Sequence, residues 1–270
     1  MTIAAWTAAL LLVTGADAPT APPPPPPPAP PAMTAPLPPP PPSAAAPEKD
    51  ARALAVVKKM SDLLQQARTF SLEARVTMEL PASGGVLATF VNDASATVQR
   101  PDKLAAARTG DLPEFHFAYD GKTMTISTPG NGRWSTAAAP PTLEAMVIAA
   151  GEQAGLSFPF DEILVADPYA AITRDLTQAT LVGQSTLAGK RTDHVLLTSP
   201  GLELQLWIDQ ATSLPVRVAV VYADVPLRPH FSIDYSRWKL APKLPASTFA
   251  LPMPKGATPV EFRAAAATFR

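Results

Sequence analysis

The chain has 270 residues, 22 Lys and Arg against 23 Asp and Glu, a formal net charge of -1 and 34 prolines. Such balance leaves no basic footprint for nucleic acid and no polybasic segment for an anionic membrane surface. The absence of cysteine excludes disulfides, thiolate metal sites, iron-sulfur clusters, thiol nucleophiles and lipid attachment at a lipobox cysteine.

Residues 1–18, MTIAAWTAALLLVTGADA, carry an apolar run from Ile3 to Val13 followed by Ala16-Asp17-Ala18, an A-x-A-like cleavage site. They read as a secretory signal peptide whose n-region lacks Lys and Arg, and the run is shorter than the roughly 20 residues a membrane span requires. Residues 19–47 are almost entirely proline and alanine, a composition that fixes backbone φ and removes amide donors. They are expected to form an extended, disordered tether, either a solvated spacer or a docking strip. Residues 48–270 are then one folded domain.

Over residues 48–68, Leu54, Val57, Met60, Leu64 and Ala67 recur at helical spacing, which predicts an amphipathic helix. FSLEARVTMEL follows, with Phe70, Leu72, Ala74, Val76, Met78 and Leu80 alternating with polar residues as in a half-exposed strand. After a turn at 81–85, VLATFVNDASATVQ continues to Arg100-Pro101, where proline disfavours further ladder pairing. Further strands are expected at 103–109, 114–119, 123–128, 176–183, 193–198, 202–208, 216–222 and 231–240. Their hairpin sequence predicts a mainly β (α+β) domain with an antiparallel sheet. Leu202, Leu204, Leu206 and Ile208 share one face, as do Val216, Val218, Val220 and Tyr222 on the next strand, so the two pair and extend one apolar surface. Trp207 is the exception on the polar face. Between Pro140 and Arg174 the pattern breaks into short helices at 143–150, 160–166 and 169–174. These and the first helix are the available covers for the apolar face.

Chemistry-bearing motifs are scarce. GQSTLAGKRT, residues 183–192, has five residues between its glycines and Arg after its lysine, so it is a hairpin turn and not a phosphate loop. His116, His194 and His230 lie far apart. Glu114 and His116 share a strand face that offers two metal ligands or, more simply, a polar outer face. No G-x-S-x-G elbow occurs, and Asp161, Glu162 and Asp167 sit where helix starts explain them. No catalytic residue, metal site or cofactor is indicated. Arg100, at a strand end before a proline, reads as a rim arginine, a latch for helix carbonyls, or a contact for an anionic head group.

Taken in order, FSLEARVTMEL, VQRPDKL, YDGKTMTISTP, LWIDQATSLPVRV and FALPMPKGATPVEF resemble the LolA/LolB-like lipoprotein-carrier superfamily. RPDKL, FAYDGKTMT, DPYA and LWID are similar to a bacterial family of predicted periplasmic proteins, domain of unknown function 2092. The resemblance implies a periplasmic, incomplete antiparallel β-barrel covered by helices, with an apolar cavity for acyl chains. It implies that Arg100 holds a helical lid shut, that Asp120, Gly121 and Lys122 form a structural β-turn, and that Phe249, Pro252, Pro254 and Gly256 form the closing strand and turn. The proline tether departs from a soluble shuttle and favours a tethered or wall-spanning protein.

The resulting expectation is an exported, non-enzymatic protein that binds a lipid, acyl chain or lipidated protein. Its cavity or core comprises Leu72, Val76, Met78, Phe117, Met124, Ile126, Leu204, Leu206, Val218 and Val220, with Arg100 as lid latch or head-group contact. Membrane contact is open, and so is an envelope protein partner. The alternatives are an envelope interaction module with a filled core, and a hydrolase or metal-dependent enzyme using His116 or His194.

Overall fold

Residues 49–156 and 158–262 are described in the computed structural model, so the expected signal peptide at 1–18 and tether at 19–47 lie outside the described residues. Helix α1 (Ala51–Gln66) starts where the Asp50 side chain accepts a hydrogen bond from the Arg52 amide at 2.8 Å, an N-cap that satisfies one orphan donor. It buries Ala53, Val57, Met60 and Leu64. Twelve strands follow in chain order: β1 (Thr69–Ala82), β2 (Val86–Gln99), β3 (Lys103–Gly110), β4 (Phe115–Tyr119), β5 (Thr123–Thr128), β6 (Arg133–Ala138), β7 (Gln178–Leu187), β8 (Lys190–Ser199), β9 (Leu202–Asp209), β10 (Pro215–Tyr222), β11 (His230–Leu240) and β12 (Thr258–Pro259). The fold is mainly β, as expected, and the sheet stays open: its spatial order is β12-β6-β5-β4-β3-β2-β1-β11-β10-β9-β8-β7.

Two antiparallel meanders, β1 to β6 and β7 to β11, are joined where β1 pairs with β11, as in Val76 opposite Ile233. This topology dictates the cover. The chain must pass from β6 near one edge to β7 at the other, so residues 139–177 cross a face of the sheet and carry α2 (Leu143–Ala154), a 3-10 turn (Asp161–Ile163) and α3 (Pro168–Thr173). The strands beneath turn their apolar side chains toward them, making that face concave in role and buried in chemistry. The segment after β11 instead reaches β12 over the opposite face, where its 3-10 turn (Ala246–Phe249) meets β3.

Several expectations change. The 160–166 stub is a 3-10 turn spanning only Asp161–Ile163, and β6 and the short parallel β12 are strands that the sequence reading lacked. RWSTAA puts small and polar residues where an alternation needs apolar ones, and a two-residue strand has no periodicity to read. Phe249, buried at 4% exposure, ends a 3-10 turn and not a closing strand. The turn at Asp120 matches its expected form: its Oδ1 accepts from the amides of Lys122 and Thr123 at 2.9 and 2.8 Å. Gly121 there has φ 97°, so the backbone conformation favours glycine, while a Cβ would need only the Asp102 carboxylate, 2.7 Å away, to swing aside.

Candidate lipid-binding face and lid

The concave face is organised in rows set by the strand register. The first row, Phe70, Val98, Leu104, Tyr119 and Met124, is sealed, each side chain being at most 1% exposed. The next, Leu72, Ala96, Ala106, Phe117 and Ile126, is half-buried except at Phe117, which the ring of Phe158 meets edge-on at 5.1 Å. A third row runs through Ala74, Ala94, Arg108 and Phe115. Alanines at 94, 96 and 106 give β2 and β3 a low apolar floor. Across the β1–β11 junction, the line that continues Val76 is filled: Ile233, Val218 and Leu206 follow in register, each no more than 3% exposed.

Of the ten expected cavity or core residues, Val76, Met78, Phe117, Met124, Leu204, Leu206, Val218 and Val220 are packed core, at 8% exposure or less. Leu72 and Ile126 alone remain half-buried, both on the alanine-floored side. Two depressions lie off this face. One of about 210 Å³ is on the convex side between Thr97, His116 and Leu251, and one of about 380 Å³ separates Leu63 of α1 from Leu240.

Arg100 sits in the turn between β2 and β3, and its carbonyl carbon is joined to Pro101 by a cis peptide bond. Its Nη1 donates to the carbonyls of Leu164 and Val165, both at 2.8 Å, and Nη2 to that of Ile163 at 2.6 Å, with the Leu64 carbonyl of α1 at 3.5 Å. One guanidinium thus ties the covering turn and α1 to the sheet by meeting carbonyls that a short helical turn leaves unpaired. Burial lowers its pKa from the ordinary value, and its Nε has no hydrogen-bond partner.

The turn held by Arg100 carries two acids. Asp167 caps α3, accepting from the Ala170 amide at 2.9 Å, as its position implied. Asp161 and Glu162 cap nothing. Phe160 ahead of them adopts φ 55°, a left-handed conformation rare for a bulky residue, and both acids of the turn it starts are half-buried. Burial first, and then the Glu162 charge, push the Asp161 carboxyl up to about 7; burial raises Glu162 as well. Their field reaches the concave face, where burial and then Glu162 and Asp161 push Tyr222 up to about 12. Tyr235 is raised by burial and Glu162. Only the left-handed φ, invisible in sequence, separates this pair from ordinary helix-start acids.

The histidines stand apart. His116 Nε2 lies 3.3 Å from Glu114 Oε1 on the convex face, and His194 stacks on Trp207 at 4.2 Å while meeting Gln205 at 3.0 Å. Trp207, the apolar exception on the polar face, is therefore covered by His194 and by Arg217, 5.8 Å from its ring. Among the described residues no group of three or more His, Cys, Asp or Glu is placed to hold a metal ion. Among the same residues, no helix is long and apolar enough to cross a membrane.

The family model described as "Predicted periplasmic protein (DUF2092)" matches residues 53–263. No curated protein matches the chain. Among solved structures, the lipoprotein LppX of Mycobacterium tuberculosis aligns with a TM-score of 0.47 and 14% identity over 73% of this chain and 99% of that one. The Pseudomonas aeruginosa MucA/MucB complex gives a TM-score of 0.43 and 15% identity over 75% of this chain and 62% of that chain. A LolA superfamily protein from Nitrosomonas europaea gives 0.33 and 11% over 72% and 97%.

Proposed function

Because the chain belongs to the DUF2092 family of predicted periplasmic proteins, we propose that it is a non-enzymatic, carrier-type protein that binds a lipid, acyl chain or lipidated protein on its concave face. The observation that carries the reading is the half-buried apolar floor of Leu72, Ala94, Ala96, Ala106 and Ile126 beside a half-sheet in which Val195, Leu206, Val218 and Ile233 are sealed. Removing a CH₂ from water contributes about 0.8 kcal/mol, so a chain of a dozen or so carbons brings on the order of 10 kcal/mol before ordering costs. No polar chemistry is needed. Arg100 acts in this reading as the latch of the cover: with its carbonyl bonds broken, the 161–165 turn lifts and the floor widens.

The test is to purify the protein from its native envelope without detergent, extract it with organic solvent and analyse the extract by mass spectrometry. A defined lipid near one per protein supports binding. A clean extract, together with no uptake of an environment-sensitive fatty-acid probe, sinks it. The second reading, an envelope interaction module with a filled core, is favoured by the eight expected cavity residues that are packed core and by the two depressions lying off the concave face. The clean extract would establish it and turn attention to the proline-rich segment.

A further inference from the structure

The alanine floor ends at a cation. Arg108 is the charged residue on the concave rows of β1 to β5, opposite Ala94 on one side and Phe115 on the other. Its guanidinium lies 4.6 Å from the Phe115 ring, and Nη2 donates to the Pro113 carbonyl at 2.9 Å. Its buried Nε has no hydrogen-bond partner, and no ion pair engages it among the described residues. Burial lowers its pKa without a carboxylate to offset the loss of water.

Asn92 is its diagonal neighbour, since Ala94 pairs with Arg108 and Asn92 with Gly110. The residue is 1% exposed; Oδ1 accepts from the Leu112 amide at 3.0 Å, while Nδ2 is buried and unpartnered. A buried amide donor and a buried guanidinium donor left unsatisfied side by side are costly for a fold to keep. The 112–113 segment meets both side chains, the Pro113 carbonyl accepting from Arg108 and the Leu112 amide donating to Asn92. The two acids of the same loop are committed elsewhere, Asp111 to the Val91 amide at 2.8 Å and Glu114 to His116 at 3.3 Å.

We propose that Arg108 and Asn92 form the head-group subsite for an anionic amphiphile, a carboxylate or phosphate at the end of an acyl chain that lies along Ala94, Ala96 and Ala106. This rests on the acyl-chain reading of the concave face. The anion replaces the Pro113 carbonyl, takes two charge-assisted bonds from the guanidinium fork and one from Nδ2 of Asn92, and displaces the 112–113 segment outward.

The test compares hexadecyl phosphate, hexadecanoate and hexadecanol as displacers of a neutral fluorescent probe from the full exported chain, with inorganic phosphate as a further competitor. Both anionic ligands are expected to bind at least about tenfold more tightly than the alcohol. Arg108→Gln should narrow that ratio to within about twofold, and Arg108→Lys, which keeps charge and loses the fork, should fall between. Circular dichroism melting of each variant separates unfolding from lost recognition, and the lysine variant carries the test if the glutamine variant does not fold. Equal binding of alcohol and anions by the unaltered chain, or an undiminished ratio in a folded Arg108→Gln, would overturn this subsite and leave the acyl-chain reading standing. Absence of binding by all three hexadecyl ligands would overturn that reading and the subsite with it. Inorganic phosphate competing at the same concentration as hexadecyl phosphate would overturn the lipid assignment in favour of a free-anion site.

Discussion

Between β8 and β11 the concave face carries Val195, Leu197, Leu204, Leu206, Val218 and Ile233, all below 8% exposure; on β1 to β3 the sealed row of Phe70, Val98 and Leu104 is followed by Leu72, Ala96, Ala106 and then Ala94, all half-buried. Both halves obey the same alternation, so periodicity does not distinguish them. Side-chain size and cover do. Branched residues fill the space beneath α1, which packs on β7, β8 and α3, whereas alanines occupy the half-buried positions on the side where the Phe158 ring meets Phe117 edge-on. A single sheet can therefore be solid core at one end and a half-buried alanine surface at the other, decided by side-chain size within the same alternation.

The contrast can be broken most forcefully in the solid half. Leu206→Ala, at a fully buried position, should cost about 2–5 kcal/mol through lost transfer energy and a cavity, read as a shift in the denaturant midpoint. Arg100→Leu comes next: it strands the carbonyls of Ile163, Leu164 and Val165, with an expected loss of about 1–3 kcal/mol. Hydrogen exchange should rise at residues 161–166 before the sheet, and lipid affinity or release should change; an unaltered binding curve would reduce Arg100 to a structural tie. Filling the alanine half should behave differently. Ala96→Leu or Ala106→Leu should change stability by less than about 1 kcal/mol, where a sealed core would lose 1–3, and should abolish probe uptake. Loss of the fold would mean the floor is packed core after all.

Proton linkage sharpens the cover. Asp161 titrates at 3.8 when unfolded and at about 7 beneath the cover, so the folded state keeps a proton that the unfolded state releases. Stability is therefore fully present below the unfolded value and declines as pH rises from about 4 to about 7, beyond which this residue adds no further slope. Asp161→Asn should flatten the pH dependence of thermal unfolding across that window, and an unchanged slope would place the carboxyl in water. The smallest effect is expected from His116→Ala, an exposed pair with Glu114, at within about 0.5 kcal/mol and with no change in lipid binding.

Much of the sheet was legible because alternation survives in the sequence: the expected pairing of the 202–208 and 216–222 segments appears as Leu206 opposite Val218. The helix at the N-terminus was legible for the same reason at a different period. The site was harder to read. Which half of the rows stays open depends on where a connection between opposite sheet edges happens to lie, a long-range property of topology. The half-buried turn of Asp161 and Glu162 begins at a left-handed Phe160, a residue type that gives no local signal for that conformation. Arg108 falls inside the expected 103–109 strand with nothing to mark it out, and only the register shows it bounding an alanine floor.

An unclosed sheet has two borders, and each exposes a template on which another molecule could polymerise. At one border Lys49 bridges Ala179, and the Asp50 amide donates to the Ala179 carbonyl at 2.9 Å, occupying part of β7. At the other, Thr258–Pro259 lies parallel to β6, with the Thr258 and Val260 amides donating to the Gly132 and Trp134 carbonyls at 2.8 Å. The residue between them, Pro259, has no amide hydrogen to offer an incoming strand. The short terminal strand thus works as a stopper against fibril-like stacking, a protection that a sheet with two free edges needs more than a closed barrel does.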